Sequence, residues 1–161
     1  MVKKRQRHLL IIGGGVFQVP AIKVAKSMGL KVVVTDYNVD AEGMLIADYP
    51  IEVSTRNINL TVNAAKQFHS SCPLDGVMTV GTDASQTVAA VANALSLPGI
   101  PFEVAERSTD KIKMRRRLDE MGIAVPNYKP VWTIDDLNTA IEEMPLPLVI
   151  KPCDNMGARG V

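Results

Sequence analysis

The chain predicts an α/β fold built on a parallel sheet with helices on both faces. Short β-rich apolar runs alternate with segments of helical period through about residue 100. The second run is an unbroken stretch of valines, as expected of a strand buried on both sides. A glycine or polar turn follows each run, which puts ligand-type residues together at the carboxyl ends of the strands.

Residues 9–12 make the first strand, and residues 18–28 a helix with Ile22, Ala25 and Met28 on one face and Gly29 at its stop. Residues 31–35 are the second strand, 42–47 a short helix and 51–53 a brief third strand. A helix over 58–69 buries Ala64, Ala65 and Phe68. Residues 76–80 form the fourth strand, and a helix over 84–95 carries the stripe Val88, Val91, Ala92 and Leu95. Leu97-Pro98-Gly99-Ile100-Pro101 then breaks the rhythm and marks a boundary, giving domains at 1–104 and 105–161. Beyond it, a charged helix over 110–121 turns Met114, Leu118 and Met121 to its apolar side and ends at Gly122. Residues 128–132 read as a strand, Thr133 and Asp136 have capping-box spacing for a helix over 134–143, and 148–151 is a last strand.

An apolar fraction of 47%, a charged fraction of 22% and a net charge of +1 describe an ordinary globular protein. That balance speaks against a nucleic-acid binder, and the few aromatics against base-stacking platforms. The start, Lys3-Lys4-Arg5-Gln6-Arg7 and four apolar residues, is a basic tail leading into a strand rather than a signal peptide. No stretch approaches membrane-spanning length. Cys72 and Cys153 fit neither a CxxC nor a zinc spacing, so reduced thiols and a cytoplasmic location are expected.

Gly13-Gly14-Gly15-Val16-Phe17-Gln18 follows a strand and opens a helix. A dinucleotide-binding turn would read G-x-G-x-x-G, and Gln18 stands where its third glycine would be. Asp36 sits about 20 residues on, where a ribose-binding acid belongs, so the match is partial. A tight turn needing glycine for its backbone alone explains the same residues. If the strands take the usual order, this turn and Gly81-Thr82-Asp83 border one crevice. Its amides, hydroxyl and carboxylate suit a small polar substrate. Capping of the following helix by Thr82 and Asp83 is the competing explanation.

Lys111 in a first helical turn opposes the helix dipole unless an anion is near. Arg115-Arg116-Arg117 adds positive charge to the same helix; such a run is usually solvated, although one guanidinium can clamp a phosphate. The apolar run 146–150 leads into Lys151 and the polar loop Asp154-Asn155-Met156-Gly157-Ala158-Arg159-Gly160-Val161. A buried strand can present a cation and bare amides to a phosphate in this way.

These motifs, Thr109 to Arg115, Gly122-Ile123-Ala124-Val125-Pro126, Leu148-Val149-Ile150-Lys151-Pro152 and the final loop, resemble the start of an ATP-grasp domain. Residues 1–104, with Gly13 to Gly15, Gln18, Pro20 and Asp75 to Asp83, resemble the Rossmann-like domain that precedes it, so the resemblance covers the whole chain. It is nearest to the carbamoyl-phosphate synthase-like and purine-biosynthetic ligases.

The resemblance implies the amino-terminal part of an ATP-dependent carboxylate–amine (or thiol) ligase acting through an acyl-phosphate. Its expected cofactors are ATP and Mg2+ for the full-length parent, with none expected bound to this chain alone; its partners are small carboxylates and amines, and a homo-oligomer is compatible with it. Lys111 and Lys151 match the family's two ATP-contacting cations. Asp154, Gly157, Arg159 and Gly160 match its phosphate-covering loop. Gly13, Gly14, Gly15, Gln18, Thr82 and Asp83 are the substrate-binding candidates. No catalytic nucleophile or metal ligand is assigned, because the family's adenine pocket and magnesium acids lie beyond such a loop. The chain therefore reads as the front portion of a larger enzyme, inactive by itself. A non-catalytic Rossmann-like module for a nucleotide or small acid is the alternative, with an NAD-dependent oxidoreductase third.

Overall fold

Leu10, Ile11 and Ile12 are fully inaccessible to solvent, which a strand achieves only when both its faces are covered. In the computed structural model, which describes residues 5–155 and 160, they belong to β1 (His8–Ile12). β1 lies between β2 (Lys31–Asp36) and β4 (Gly76–Met78), and β3 (Tyr49–Glu52) completes the order β3-β2-β1-β4. All pairings are parallel, with Leu10 facing Val33 and Val77 in register. This is the α/β, Rossmann-like sheet expected from the alternating runs.

Helices α1 (Val19–Ser27), α2 (Glu42–Ile46), α3 (Ile58–Ser71) and α4 (Ser85–Ala94) make the crossovers. Because side chains alternate along a strand, β1 feeds two cores. Leu10 and Ile12 join Val33, Ala65, Leu74 and Val91, whereas Ile11 joins Val32, Val34, Ile22, Ala25 and Met44. Each fully buried aliphatic side chain contributes roughly 1.5–3 kcal/mol. Pro20 is accepted in the first turn of α1, where its missing N–H would have had no partner inside the helix. Met28 is exposed, not buried as the periodicity suggests; the chain turns at Gly29, and Leu30 packs on that core instead.

The chain divides into two compact units, Met1–Ala105 and Glu106–Val161. Both apolar clusters lie in the first. A helix the periodicity does not reveal, α5 (Phe102–Thr109), begins directly after Pro101. The second unit contains α6 (Lys111–Glu120) and α7 (Ile134–Glu143), the latter opened by the expected capping box of Thr133 and Asp136. Of its described residues only Ala140 is buried. Met114 and Met121 are exposed, contrary to the apolar face expected for α6. Its half-buried positions are Lys111, Ile112, Arg115 and Leu118, and the Arg115 guanidinium lies 5.1 Å from the centre of the Tyr128 ring. Residues 128–132 and 148–151 are not strands. Neither meets a partner ladder among the described residues; Pro130 removes an amide within the first, and Pro147 and Pro152 bound the second. Val149 and Ile150 are accordingly exposed.

Asp48, just before the edge strand β3, ties the chain to the start of β2. It accepts from Lys31 Nζ at 2.8 Å and from the Val32 amide at 3.0 Å, with Lys26 Nζ 3.5 Å away. Burial pushes its carboxyl up, but the Lys31 and Val32 hydrogen bonds and the two ammonium charges outweigh burial and hold it below the ordinary 3.8. Lys31 is raised above 10.5, chiefly by the same hydrogen bond. A carboxyl lowered by folding stabilises the protein above its unfolded value and loses that effect as pH falls through the folded one. Asp48→Asn is therefore expected to lower the urea midpoint at neutral pH, by no more than about 1 kcal/mol after solvent screening. The gap from wild type should close below pH 3.8. A gap that persisted there would show that the charge was not its source.

Candidate functional site

Two clusters hold the chemistry-bearing residues, one in each unit. In the first, the carboxyl ends of β1 and β4 adjoin, which is the switch point where open parallel sheets gather ligands. Gly13 (φ +98°) carries the chain over the end of β1, and a Cβ on Gly14 would lie 2.9 Å from Met44. The Gly14 amide donates to Asp36 Oδ2 at 2.8 Å, and the Asn38 amide to Oδ1 at 3.0 Å. Gly14 O accepts from the Gly43 amide at 2.6 Å. The acid in the ribose-binding position thus has both oxygens engaged by backbone amides, one of them from the glycine turn itself.

Gln18 is buried, and its side-chain amide donates to Val80 O, so it bridges the β1–α1 turn to the loop after β4. Thr79 Oγ1 adds a 2.6 Å bond to Ile12 O, and Gly81 (φ +63°) passes so close that its Cβ would lie 3.0 Å from that of Phe17. Thr82 Oγ1 donates to Asp83 Oδ1 at 3.3 Å, and Asp83 Oδ2 accepts from Arg56 at 3.2 Å. The structure therefore brings Gly13, Gly14, Gly15 and Gln18 to the same edge as Thr82 and Asp83. Phe17 and Tyr37, both about three-quarters exposed, stand on the turns of the same edge.

The second cluster surrounds the first turn of α6. Asp110 caps it, accepting from the Ile112 and Lys113 amides at 2.8 and 2.9 Å, and so offsets the adverse position of Lys111. The Lys111 amide donates to Cys153 O at 2.9 Å. Lys111 Nζ donates to the same oxygen at 3.2 Å and to Asn155 O at 2.8 Å. Lys111, Lys151, Asp154 and Gly160 line one cavity of about 780 Å³, with Arg115, Tyr128 and Trp132 on its wall. Gly160 (φ +80°) lies against Pro152, where a Cβ would be 2.9 Å from Pro152 Cγ. Gly157 and Arg159 lie outside the described residues. Sequence reasoning missed the carbonyls of Cys153 and Asn155, for main-chain acceptors leave no mark on side-chain identity. It also missed Tyr128 as the stacking partner of Arg115.

The family described as alanine dehydrogenase/PNT, C-terminal domain, matches residues 2–82, and over that stretch the chain belongs to it. The L-amino acid ligase from Bacillus licheniformis superimposes with a TM-score of 0.74 at 28% identity, covering 95% of this chain and 39% of that one. The alanine–anticapsin ligase of Bacillus subtilis is 34% identical over 80 residues, which is 48% of this chain and 17% of that protein. A formate-dependent phosphoribosylglycinamide formyltransferase of Prochlorococcus marinus is 22% identical over 155 residues, 96% of this chain and 39% of its own length. The structural neighbours are ATP-grasp ligases. The chain spans about two fifths or less of the length of these relatives.

Asp36→Asn separates a structural acid from a ligand-binding one. The amide retains one acceptor and turns a donor toward the other backbone N–H, so a stability loss of about 1–2 kcal/mol is expected from the urea midpoint. An unchanged midpoint would mean that the Gly14 and Asn38 amides do not depend on the carboxylate.

Proposed function

We propose, proceeding from this kinship, that the chain is the amino-terminal part of an ATP-dependent ligase joining a small carboxylate to an amine or thiol. An amino acid is the favoured carboxylate, in keeping with the two amino acid ligases among the relatives. The observation that carries the reading is the convergence of Lys111 and Lys151 on one cavity with Asp154 and Gly160. A volume of about 780 Å³ is of ligand size, and two cations in a partly enclosed space suit a polyphosphate. In this reading residues 1–104 are the Rossmann-like preceding domain, and residues 105–161 begin the ATP-grasp domain.

Ligation of this kind moves the terminal phosphoryl group of ATP onto a carboxylate oxygen, releasing ADP, and the acyl-phosphate then yields its acyl group to the nucleophile. The protein's work is to neutralise and align charge, and Lys111 and Lys151 are the groups here that do so. Gly157 and Arg159 complete the loop in this reading. ATP suits the residues present. Among the described residues no three His, Cys, Asp or Glu side chains stand together to hold magnesium. The substrate would lie at the carboxyl edge of the sheet, near Gly13 to Gly15, Gln18, Thr82 and Asp83.

The family match of residues 2–82 favours a second reading, a Rossmann-like module that holds a nucleotide or small acid without ligase chemistry. An NAD-dependent oxidoreductase is less well supported, because Gln18 fills the third-glycine position and Asp36 is engaged by amides.

Titration of the 161-residue chain with Mg-ATP is expected to show binding weaker than micromolar, with shifts confined to residues 106–161 and abolished by Lys151→Met. Mg-ATP binding at micromolar levels would overturn the expectation that the chain alone binds weakly or not at all, binding that Lys151→Met leaves unchanged would count against the ligase reading, and a fluorescence response to NADH would support the oxidoreductase. Amino-acid-dependent phosphate release by these 161 residues alone is not expected. Its detection would show that they suffice for the first half-reaction.

A further inference from the structure

The ammonium of Lys111 is already spoken for. It donates to Asn155 O at 2.8 Å and to Cys153 O at 3.2 Å, while the amide of the same residue also donates to Cys153 O at 2.9 Å. The two acceptors are spaced two residues apart on the segment that follows Lys151, and all three groups lie within the second unit. Among the described residues, no other side chain hydrogen-bonds to residues 152–155. One cation thus supplies the side-chain hydrogen bonds that hold this strap.

A carbonyl oxygen is a neutral acceptor, and a phosphate oxygen carries charge. A hydrogen bond from an ammonium to a charged acceptor is about twice as strong as one between neutral groups. A polyphosphate entering the cavity would therefore compete for Lys111 on favourable terms, but it must first displace the two carbonyls. We propose that Lys111 is a clasp on the strap 152–155 that trades Cys153 O and Asn155 O for phosphate oxygens, so that anion entry and strap release are one event. The inference rests on the phosphate-site reading for its second half only; the clasp itself stands on the hydrogen bonds.

Cys153 supplies the reporter, because it is half-buried on the strap, and Cys72, in the other unit, is the internal reference. In the 161-residue protein, Lys111→Met is expected to raise the iodoacetamide labelling rate of Cys153 relative to Cys72 by about tenfold, the scale of one charge-assisted hydrogen bond. Lys111→Arg keeps a cation and its donors, and should stay within about twofold of wild type. This second variant separates loss of the contact from a general failure of the helix start, which circular dichroism would register. Equal Cys153 rates in wild type and Lys111→Met would overturn the clasp, as would an Arg variant as reactive as the Met one.

The exchange of partners is read separately, by amide hydrogen exchange at Asp154 and Asn155 with inorganic tripolyphosphate. Saturating tripolyphosphate should accelerate exchange in wild type and leave Lys111→Met, already fast, unmoved. Slower exchange in wild type would refute the trade. Absence of any tripolyphosphate binding by calorimetry would remove the phosphate-site reading and the trade with it, and the labelling comparison would still decide the clasp.

Discussion

The turns that leave β1 and β2 depend on what happens just past β1, where the chain has no room for a side chain. A Cβ on Gly43 would lie 2.6 Å from Gly14 O, and one on Gly14 would press on Met44 and Val34. The contact at Gly43, with a backbone oxygen, excludes any residue but glycine without backbone movement, and at Gly14 the Met44 and Val34 side chains would have to give. What the close approach gains is a set of bonds between neighbouring turns: Gly43 N–H to Gly14 O, Gly14 N–H to Asp36, and Gly13 N–H to Thr35 O. The turns over the two central strands thereby become one rigid platform. Gln18 and Thr79 extend it to β4.

That platform shows why a glycine-rich turn need not be a phosphate cradle. A cradle requires amides that point at the ligand and lack another acceptor. Here the middle amide of the turn is bound to an aspartate of the protein's own second strand. The same carboxylate would be the ribose ligand of a dinucleotide fold, so a single ion serves the turn where a cofactor might have been served. Kinship to a dehydrogenase family over residues 2–82 and the absence of a free acid at Asp36 are thus compatible, since the first concerns the fold and the second the site.

The first unit was legible in the sequence because its strands are nearly pure β-branched runs and its helices carry regular apolar stripes. Val32, Val33 and Val34 and the pair Val91 and Ala92 sit in the cores where the pattern puts them. The second unit resisted the same reading. Residues 128–132 and 148–151 have the composition of strands, but strand identity is conferred by a partner ladder, and proline interrupts the first segment and flanks the second. On α6 the apolar rule pointed to Met114 and Met121, while the half-buried positions are taken by Lys111 and Arg115, whose methylene stems pack and whose charged ends find acceptors or a ring. The capping box of α7 was readable because it needs only two side chains three residues apart. The site lysines were legible as cations, whereas the carbonyls that hold Lys111 were not, because any residue type supplies a carbonyl.

The contrast between the units bears on how they can be used. Hydrophobic burial is non-directional and grows with area, so the first unit, with two apolar clusters, is stabilised independently of any ligand. The second has one buried residue among those described, and its order is carried by directional contacts: a capping box, a capped first turn, a guanidinium on a ring and a clasped strap. Individually such contacts contribute about 0.5–3 kcal/mol, and each can be exchanged for a stronger one when a charged ligand arrives. A unit held in this way is ill suited to act as a scaffold and well suited to respond to an anion. The placement of Lys111 and Lys151 on its cavity, rather than on the well-packed sheet, follows that division.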